Sequence, residues 1–518
     1  MYRAARVVQE VLDEARMEFE DLIAQLLSPV AAELTHSQAE DLIERQGREV
    51  LRQLLQGWLE SRGVGDVGPV RVGPDGVRRP QRRRHSRRLE SLCGPVQVER
   101  LGSSPSGQES LHPCDAALHL PQALSAHALR KQVAVEAARS RVAAVVEAIT
   151  EHTGAPVPTR QAEELGQRAA QDCEACYAQH RAPHQAPAAA AGALVVLTPD
   201  GQGVPMPTEA RRPQTRQAAA ASTHKRRTRL STGEKRHRQR MATGASVSSI
   251  APYGRSAADV VQELAPVCEV CPAQRPQPRG KRVWASGRQA PRAVMAELFD
   301  EARGRDPAGQ RPWVVLVDGQ AHPRRLIRQA VKRRRVAVTL LLDRCHGLEY
   351  RWAAALALYA EGSAEAERGV RTPLHALLRG RASDIAAAMR RSATMHALAS
   401  AKRAAVDKGA DSLLKSRALV RYAPYLAAGY PSAPGVIEGA CRDLVKDRME
   451  RTGARWSLDG AEAVLRLRAL WTNGDFEPDW TFHLHHEYER TYAARLGRPS
   501  QSDHKPRPRR APHLEIIK

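Results

Sequence analysis

The apolar pattern has one centre. Val314 to Val317 form a short, uninterrupted and mostly β-branched run inside PWVVLVDGQAH, residues 312–322. A run of that length and composition reads as a buried strand and not as a helix. It delivers one carboxylate, Asp318, to a glycine turn. ALVVLTPDG upstream repeats the design and ends at Asp200, and VAVTLLLD downstream ends at Asp343. ATGASVSSIAPY and KRVWAS read as two further strands, PRAVMAELFDEAR and RRLIRQAVKRRR as helices. The order is three strands, helix, strand, helix, strand. A right-handed crossover brings the Asp318 strand beside the Asp200 strand, with both C-terminal ends at one edge. The strand ending at Asp343 then falls one place further from Asp200.

The flanking segments follow other periods. Residues 1–62 are helical, with Thr35 placed to cap SQAEDLIERQGREVLRQLLQGWLE; these helices can pair with each other or with a second subunit. Residues 63–105 alternate in short runs between turn signals and read as a small basic β-rich module. Residues 106–180 return to helix and hold a candidate helix-turn-helix at TG…PVPTRQAEELG. A Pro/Ala linker at 181–192 separates them from the α/β core, whose first part is 193–349. An alanine-rich helical block, 350–430, reads as an inserted all-α domain; 431–496 supplies the last core helices, and 497–518 is a basic, Pro-rich tail expected to be disordered.

Charge narrows the function classes. The 518 residues carry a net charge of +23, which points to a polyanionic partner, with nucleic acid the default. The arginines of RRPQRRRHSRR (Arg78, Arg79, Arg82, Arg83, Arg84, Arg87, Arg88) are dense enough to hold phosphates. So are the cations of KRRTRLSTGEKRHRQRM: Lys225, Arg226, Arg227, Arg229, Lys235, Arg236, Arg238 and Arg240. No signal peptide or membrane-length apolar run is present, so a cytoplasmic protein working on DNA or RNA is expected, with no membrane partner. The pairs Cys173/Cys176 and Cys268/Cys271 have 91 residues between them, too far for a zinc ribbon; packed cysteines are the simpler reading. The histidines of HLHHEYERTY (His483, His485, His486) read as a half-exposed helix face.

Three acids remain as candidate chemistry. Asp-Gly alone is a common turn, and a lone helical glutamate is usually surface. Here Asp200 and Asp318 sit at strand ends, and Glu438 opens a late helix, PGVIEGACRDLVKDRM. Glu438, Arg442 and Lys446 fall four apart, on one helix face. Two acids at one sheet edge plus a third on a helix suggest a two-metal phosphoryl-transfer site.

Several blocks occur together in order: PDGQGVPM, TRLSTGEKRHRQRMA, KRVWAS, RPWVVLVDG, LLLDRCHGLEYRWAAA and GVIEGACRDLVKDRMERTGARWSLDGAEAVLRLRALWTNGDF. With DLIERQGREVLRQLLQGWLE and LHPCDAALHLP they span about residues 15 to 495. In these blocks the chain resembles the Kra-type bacterial insertion-sequence transposases, a DDE group distantly akin to Mutator-like enzymes. The resemblance implies a ribonuclease H-like core with an inserted helical domain. It implies that Asp200, Asp318 and Glu438 are the catalytic acids holding two Mg²⁺ or Mn²⁺ ions, with Asp343 and His346 supporting them nearby. It implies double-stranded DNA, both transposon ends and target, as substrate, and a homodimer or larger synaptic complex. Pro199 and Gln202 depart from the family pattern, which has an apolar residue before the first acid and a lysine two after it. They leave a second reading open: a non-catalytic DNA-binding descendant.

Overall fold

The computed structural model describes residues 12–68, 71–72, 76–107, 110–154, 156–180, 193–221, 237–262, 275–433, 435–450, 455–493 and 496. The expected linker at 181–192, the expected tail at 497–518, the Cys268/Cys271 pair and the cations Lys225, Arg226, Arg227, Arg229, Lys235 and Arg236 lie outside the described residues. The chain divides into two compact units. One comprises the residues up to Asp172 and those from Glu477 onward; the other is Cys173–Phe476.

In the first unit, helices Asp13–Leu26 and His36–Ser61 are joined by a short turn. Thr35 caps the longer one, its hydroxyl accepting from the Gln38 amide while Gln38 returns a bond to the Thr35 backbone. Strands β1 (Arg71–Val72) and β2 (Arg78–Arg79) pair antiparallel. Strands β3 (Gln81–Ser91) and β4 (Gly94–Ser104) form a long antiparallel hairpin. Leu55 and Leu59 of the long helix pack on Leu89, Val96 and Val98 of that hairpin. Helices His127–Arg139, Val142–Thr153 and Thr159–Ala169 follow; Gly154, in the left-handed conformation, ends the middle one.

The same unit corrects the reading of the histidine-rich helix. His483 is fully buried, not half-exposed. Its Nδ1 lies 2.7 Å from Asp172, which Arg490 also grips with two bonds of 2.7 and 2.8 Å. Arg130 gives two 2.8 Å bonds to Glu487 and lies 3.2 Å from His483 Nε2. Burial opposes ionisation of Asp172, but His483 and Arg490 outweigh it and hold the carboxyl below its usual range. The partners lie over 300 positions away along the chain, beyond the reach of helical periodicity.

The second unit is a mixed α/β structure. Strands β5 (Leu194–Pro205), β6 (Gln239–Ile250), β7 (Arg279–Ser286), β8 (Trp313–Val317) and β9 (Thr339–Leu342) form one five-stranded sheet in the order β7-β6-β5-β8-β9. The first three are antiparallel neighbours; β5, β8 and β9 run parallel. Helices Pro291–Arg305 and Ala321–Arg334 make the crossovers. Val195, Leu197, Val315 and Val317 point to one face, where Leu298, Phe299 and Ile327 of those helices cover them. Leu194, Val196, Val314, Leu316 and Leu341 point to the other. This alternation along strands buried on both faces explains their near-continuous apolar runs.

Two sequence expectations need revision here. The strand through Asp200 does not end there: β5 continues to Pro205, and Gly201 is a strand residue instead of a turn. A twelve-residue partner, β6, supplies the backbone pairing that overrides the local turn preference of Asp-Gly. The alanine-rich block also reaches further into the sheet's core than a free-standing insertion: Leu374, Leu377, Ile385, Leu413 and Tyr422 share one apolar cluster with β5 and β8. A smaller cluster, Ala354, Ala357, Ala393 and Val406, is internal to its helices.

Helix Cys173–His180, which the sequence groups with the residues before it, belongs to the second unit. Cys173 and Cys176 are buried, as packed cysteines should be. Tyr177 bonds Asp475 at 2.9 Å, and the Arg282 guanidinium stacks 4.0 Å above its ring. Asn473 caps the free edge of β7, accepting from Val283 N at 2.8 Å and donating to its carbonyl at 3.0 Å.

Candidate active site

The sheet register builds the site. Val195 to Leu197 pair with Trp313 to Val315, an offset of 118 residues. Continued by three residues, the same register sets Asp200 beside Asp318. Val314 to Val317 pair with Thr339 to Leu342, and the next step sets Asp318 beside Asp343. The Asp343 amide, bonded to the Val317 carbonyl at 2.8 Å, holds that end of the row. By strand alternation all three acids belong to the face of Val196, Leu316 and Leu341. The β5–β8 pairing itself ends at Leu197 and Val315, three residues before the two acids.

Each acid is fixed by its own backbone surroundings. Asp200 is half-buried, and its Oδ1 accepts from the Gly201 amide at 2.7 Å. Asp318, also half-buried, accepts from the Gln320 amide at 2.9 Å at the start of helix Ala321–Arg334. Gly319 makes that turn at φ +86°; a Cβ there would stand 2.9 Å from Leu342 Cδ1. Asp343 is buried.

Glu438 arrives on helix Gly435–Cys441, whose Ile437, Ala440 and Cys441 pack on Val204, Ala242 and Ala285 of β5–β7. The Cys441 thiol lies beside Asp200. Burial first, then the charge of Asp200, pushes that thiol's pKa well up, so it stays a neutral donor. Gly244, the β6 partner of Asp200, permits the approach: a Cβ there would lie 3.2 Å from Cys441 Sγ. Glu438 is exposed, one helical turn before the cysteine that touches Asp200. The sequence marked Cys441 only as part of an apolar stripe; nothing local distinguishes a thiol aimed at a carboxylate from one in a core.

The predicted four-residue ladder from Glu438 to Lys446 does not persist. Residues 442–446 form a π-helical turn, whose wider spacing rotates Lys446 away from the line of Glu438 and Arg442. Arg442 is exposed and lies 3.8 Å from Asp447; Lys446 is exposed. His346 lies in helix Arg344–Leu358, and its side chain is outside the described residues.

The three acids offer hard oxygen donors, the class that suits Mg²⁺ or Mn²⁺. Among the described residues, no three His, Cys, Asp or Glu side chains converge closely enough to hold an ion together. The site as it stands is therefore Asp200 within β5, Asp318 and Asp343 just past the ends of β8 and β9, and Glu438 exposed on a helix that packs on β5–β7, not a closed cage.

The basic residues fall into two kinds. Arg78, Arg82, Arg83, Arg84 and Arg88 are exposed along β2 and β3, with Arg82 paired to Asp66 and Arg88 to Glu90. Arg79 is buried and donates to the Val77 carbonyl at 2.9 Å. Arg87 reaches the Pro121 and Ala123 carbonyls and lies 3.7 Å from Asp115; burial lowers its pKa. In the second unit Arg238 is exposed, whereas Arg240 donates to the carbonyls of Gly287 at 2.7 Å and Ala210 at 3.0 Å. Arg79, Arg87 and Arg240, expected as phosphate contacts, are thus occupied in holding the fold. A cation that satisfies buried carbonyls has little left to offer a phosphate.

No family model matches the chain, and no curated protein matches it. Among the described residues no helix is long and apolar enough to cross a membrane.

Proposed function

We propose that the chain is a DDE transposase: a metal-dependent enzyme that cleaves DNA at the ends of an insertion sequence and joins them to a target. The observation that carries this reading is that the 118-residue offset of the β5–β8 register is also the spacing of Asp200 and Asp318, while Cys441 of the Glu438 helix sits over Gly244, the β6 partner of Asp200. The strand order and the antiparallel-then-parallel pattern support a ribonuclease H-like core, with the helices of 350–430 as its insertion.

In this reading Asp200, Asp318 and Glu438 hold two Mg²⁺ or Mn²⁺ ions, with Asp343 and His346 in support. Bound there, the ions would supply an activated water or 3′-oxygen and stabilise the leaving oxygen. The residues' own work is to orient and to hold charge. The Gly201 and Gln320 amides hold the Asp200 and Asp318 carboxylates before any ligand arrives. The exposed Glu438 closes onto the row, and the π-turn behind it is the segment with the slack to permit this. Arg442 and Lys446 meet the DNA backbone beside the acids. Arg78, Arg82, Arg83, Arg84, Arg88 and Arg238, with the cations of 225–236, hold phosphates further out. The enzyme acts in the cytoplasm, on the nucleoid, as a dimer or larger complex.

The alternative is a non-catalytic DNA-binding descendant. One contact favours it: Gln202, at the position of the family's lysine, is tied to Glu450 at 2.5 Å. The test is to incubate the purified chain, beside Asp318→Asn, with Mg²⁺ and the DNA that flanks its own coding sequence. Metal-dependent cleavage or joining by the wild type alone supports the transposase. Binding without cleavage by either supports the descendant.

A further inference from the structure

Helix His36–Ser61 has three faces, and two are covered. Gln46 lies against the preceding helix, bonded to Gln25 at 2.6 Å, and Gly57 is buried along the same line three turns later. Residues 25 and 46 meet near the turn that joins the helices, so the pair runs antiparallel. A second face meets the β3–β4 hairpin: Leu55 and Leu59 enter its core, and Gln56 exchanges two hydrogen bonds with the Gln97 backbone, of 3.2 and 2.8 Å. The third face carries Ile43, Leu51, Leu54 and Trp58, each between 42% and 54% exposed. At about 100° per residue these four centre roughly 100° around from the Gln46 line and about as far again from the hairpin face.

The shorter helix has a matching stripe. Ala15 and Leu22 are its buried line. Phe19, Ile23 and Leu27 are exposed and centre about 80° further round in the same rotational sense. In an antiparallel pair, the same sense on each helix leads to the same side of the pair. The two stripes therefore form one apolar surface, which Val30 in the connecting turn extends and which, among the described residues, only the Arg62 guanidinium over the Trp58 ring overlies. It amounts to roughly 800 Å² of apolar surface, more than a monomer ordinarily leaves in one patch and the per-partner size of a standard interface.

We infer that this face docks on the same face of a second copy, making a four-helix bundle across a two-fold axis. A two-helix face is self-complementary under such an axis, and its area meets what a stable dimer needs. Its charge argues against DNA as the occupant. Residues 13–61 carry 11 Asp and Glu against 4 Arg and no Lys, in a chain whose net charge is +23. This acidic hairpin repels a polyanion that the rest of the chain attracts. The inference does not depend on the catalytic reading.

The test is fluorescence-detected sedimentation velocity on the full chain, free of nucleic acid, from about 0.1 nM to about 20 μM, because interfaces of this size dissociate anywhere from the micromolar to the picomolar range. The wild type should shift from monomer to dimer. Leu51→Lys with Leu54→Lys should remain monomeric throughout with unchanged helicity, and should melt where the wild type melts at concentrations too low for it to dimerise, because both side chains are exposed in the monomer. Met17→Lys, on the far side of the shorter helix, should dimerise as the wild type does. Hydroxyl-radical footprinting of the unmutated chain guards against misfolding of the variant: Leu51, Leu54 and Trp58 should be several-fold more protected at the high concentration. A wild type that stays monomeric, a double variant that still dimerises, or protection that does not change with concentration would each overturn the inference.

Discussion

Asp200 and Asp318 are 118 residues apart, the same offset as the β5–β8 register, and each lies three residues past that register's last pair, Leu197 with Val315. A single-residue slip of either strand would turn one carboxylate to the opposite face. The arrangement therefore depends on the apolar pairs beneath it, Val196 on Val314 and Leu197 on Val315, which hold the register.

If the proposed function is right, Asp200→Asn and Asp318→Asn each remove metal-dependent strand cleavage, by at least about a hundredfold, while melting within a few degrees of the wild type. Asparagine is nearly the same size and keeps an acceptor oxygen for the Gly201 and Gln320 amides. Cleavage assays beside thermal melts separate this from unfolding, and a variant that cleaves normally would sink the site assignment.

Gly244→Val should loosen the Glu438 helix. The added Cβ lies 3.2 Å from Cys441 Sγ, and the branches beyond it displace the helix from the strand. Overpacking of this kind costs about 1–3 kcal/mol. Cys441→Ser keeps a donor to Asp200 without the clash and should melt closer to the wild type. Equal melting of Gly244→Val and wild type would show that the helix does not seat there.

The arginines should separate by role. Arg83→Ala and Arg84→Ala should weaken DNA binding at all sequences, each lowering the slope of log affinity against log salt by about 1. Arg87→Ala should instead lower the melting temperature, since it strands the Pro121 and Ala123 carbonyls and leaves Asp115 to Arg100 alone. Salt titrations of binding, run beside thermal melts, distinguish the two outcomes.

Stability should fall with acid. Burial lowers the pKa of His127 from 6.5 to about 4 in the folded protein. The unfolded chain takes up this proton first, so the contribution is fully present above about pH 6.5. It is lost as pH falls toward 4, up to about 3 kcal/mol for a shift of this size. Asp172, held low by His483 and Arg490, adds a loss in the same direction below about pH 4. Melting temperature followed from pH 8 to pH 4 should drop less steeply for His127→Gln than for the wild type. Parallel curves would show that His127 is not the titrating group.

The alternating and continuous apolar runs were enough to read the five strands, the crossover helices and the order that sets Asp343 beyond Asp318. Those features rest on periods of two and 3.6 residues, which a chain carries locally. Thr35 as a cap was legible for the same reason: the partner is three residues away. Asp200 was found, but its strand was read too short, because Asp-Gly signals a turn until a partner strand pairs through it. What only the tertiary structure decided are contacts between positions far apart in sequence. Cys441 meets Asp200 through the space left by Gly244; His483 is buried by Asp172 and Arg130; Arg79, Arg87 and Arg240 are drawn from phosphate binding into holding carbonyls. Residue type and spacing state that a side chain is charged or apolar. Only packing states what lies opposite it, and that decides whether an arginine binds DNA or the fold itself.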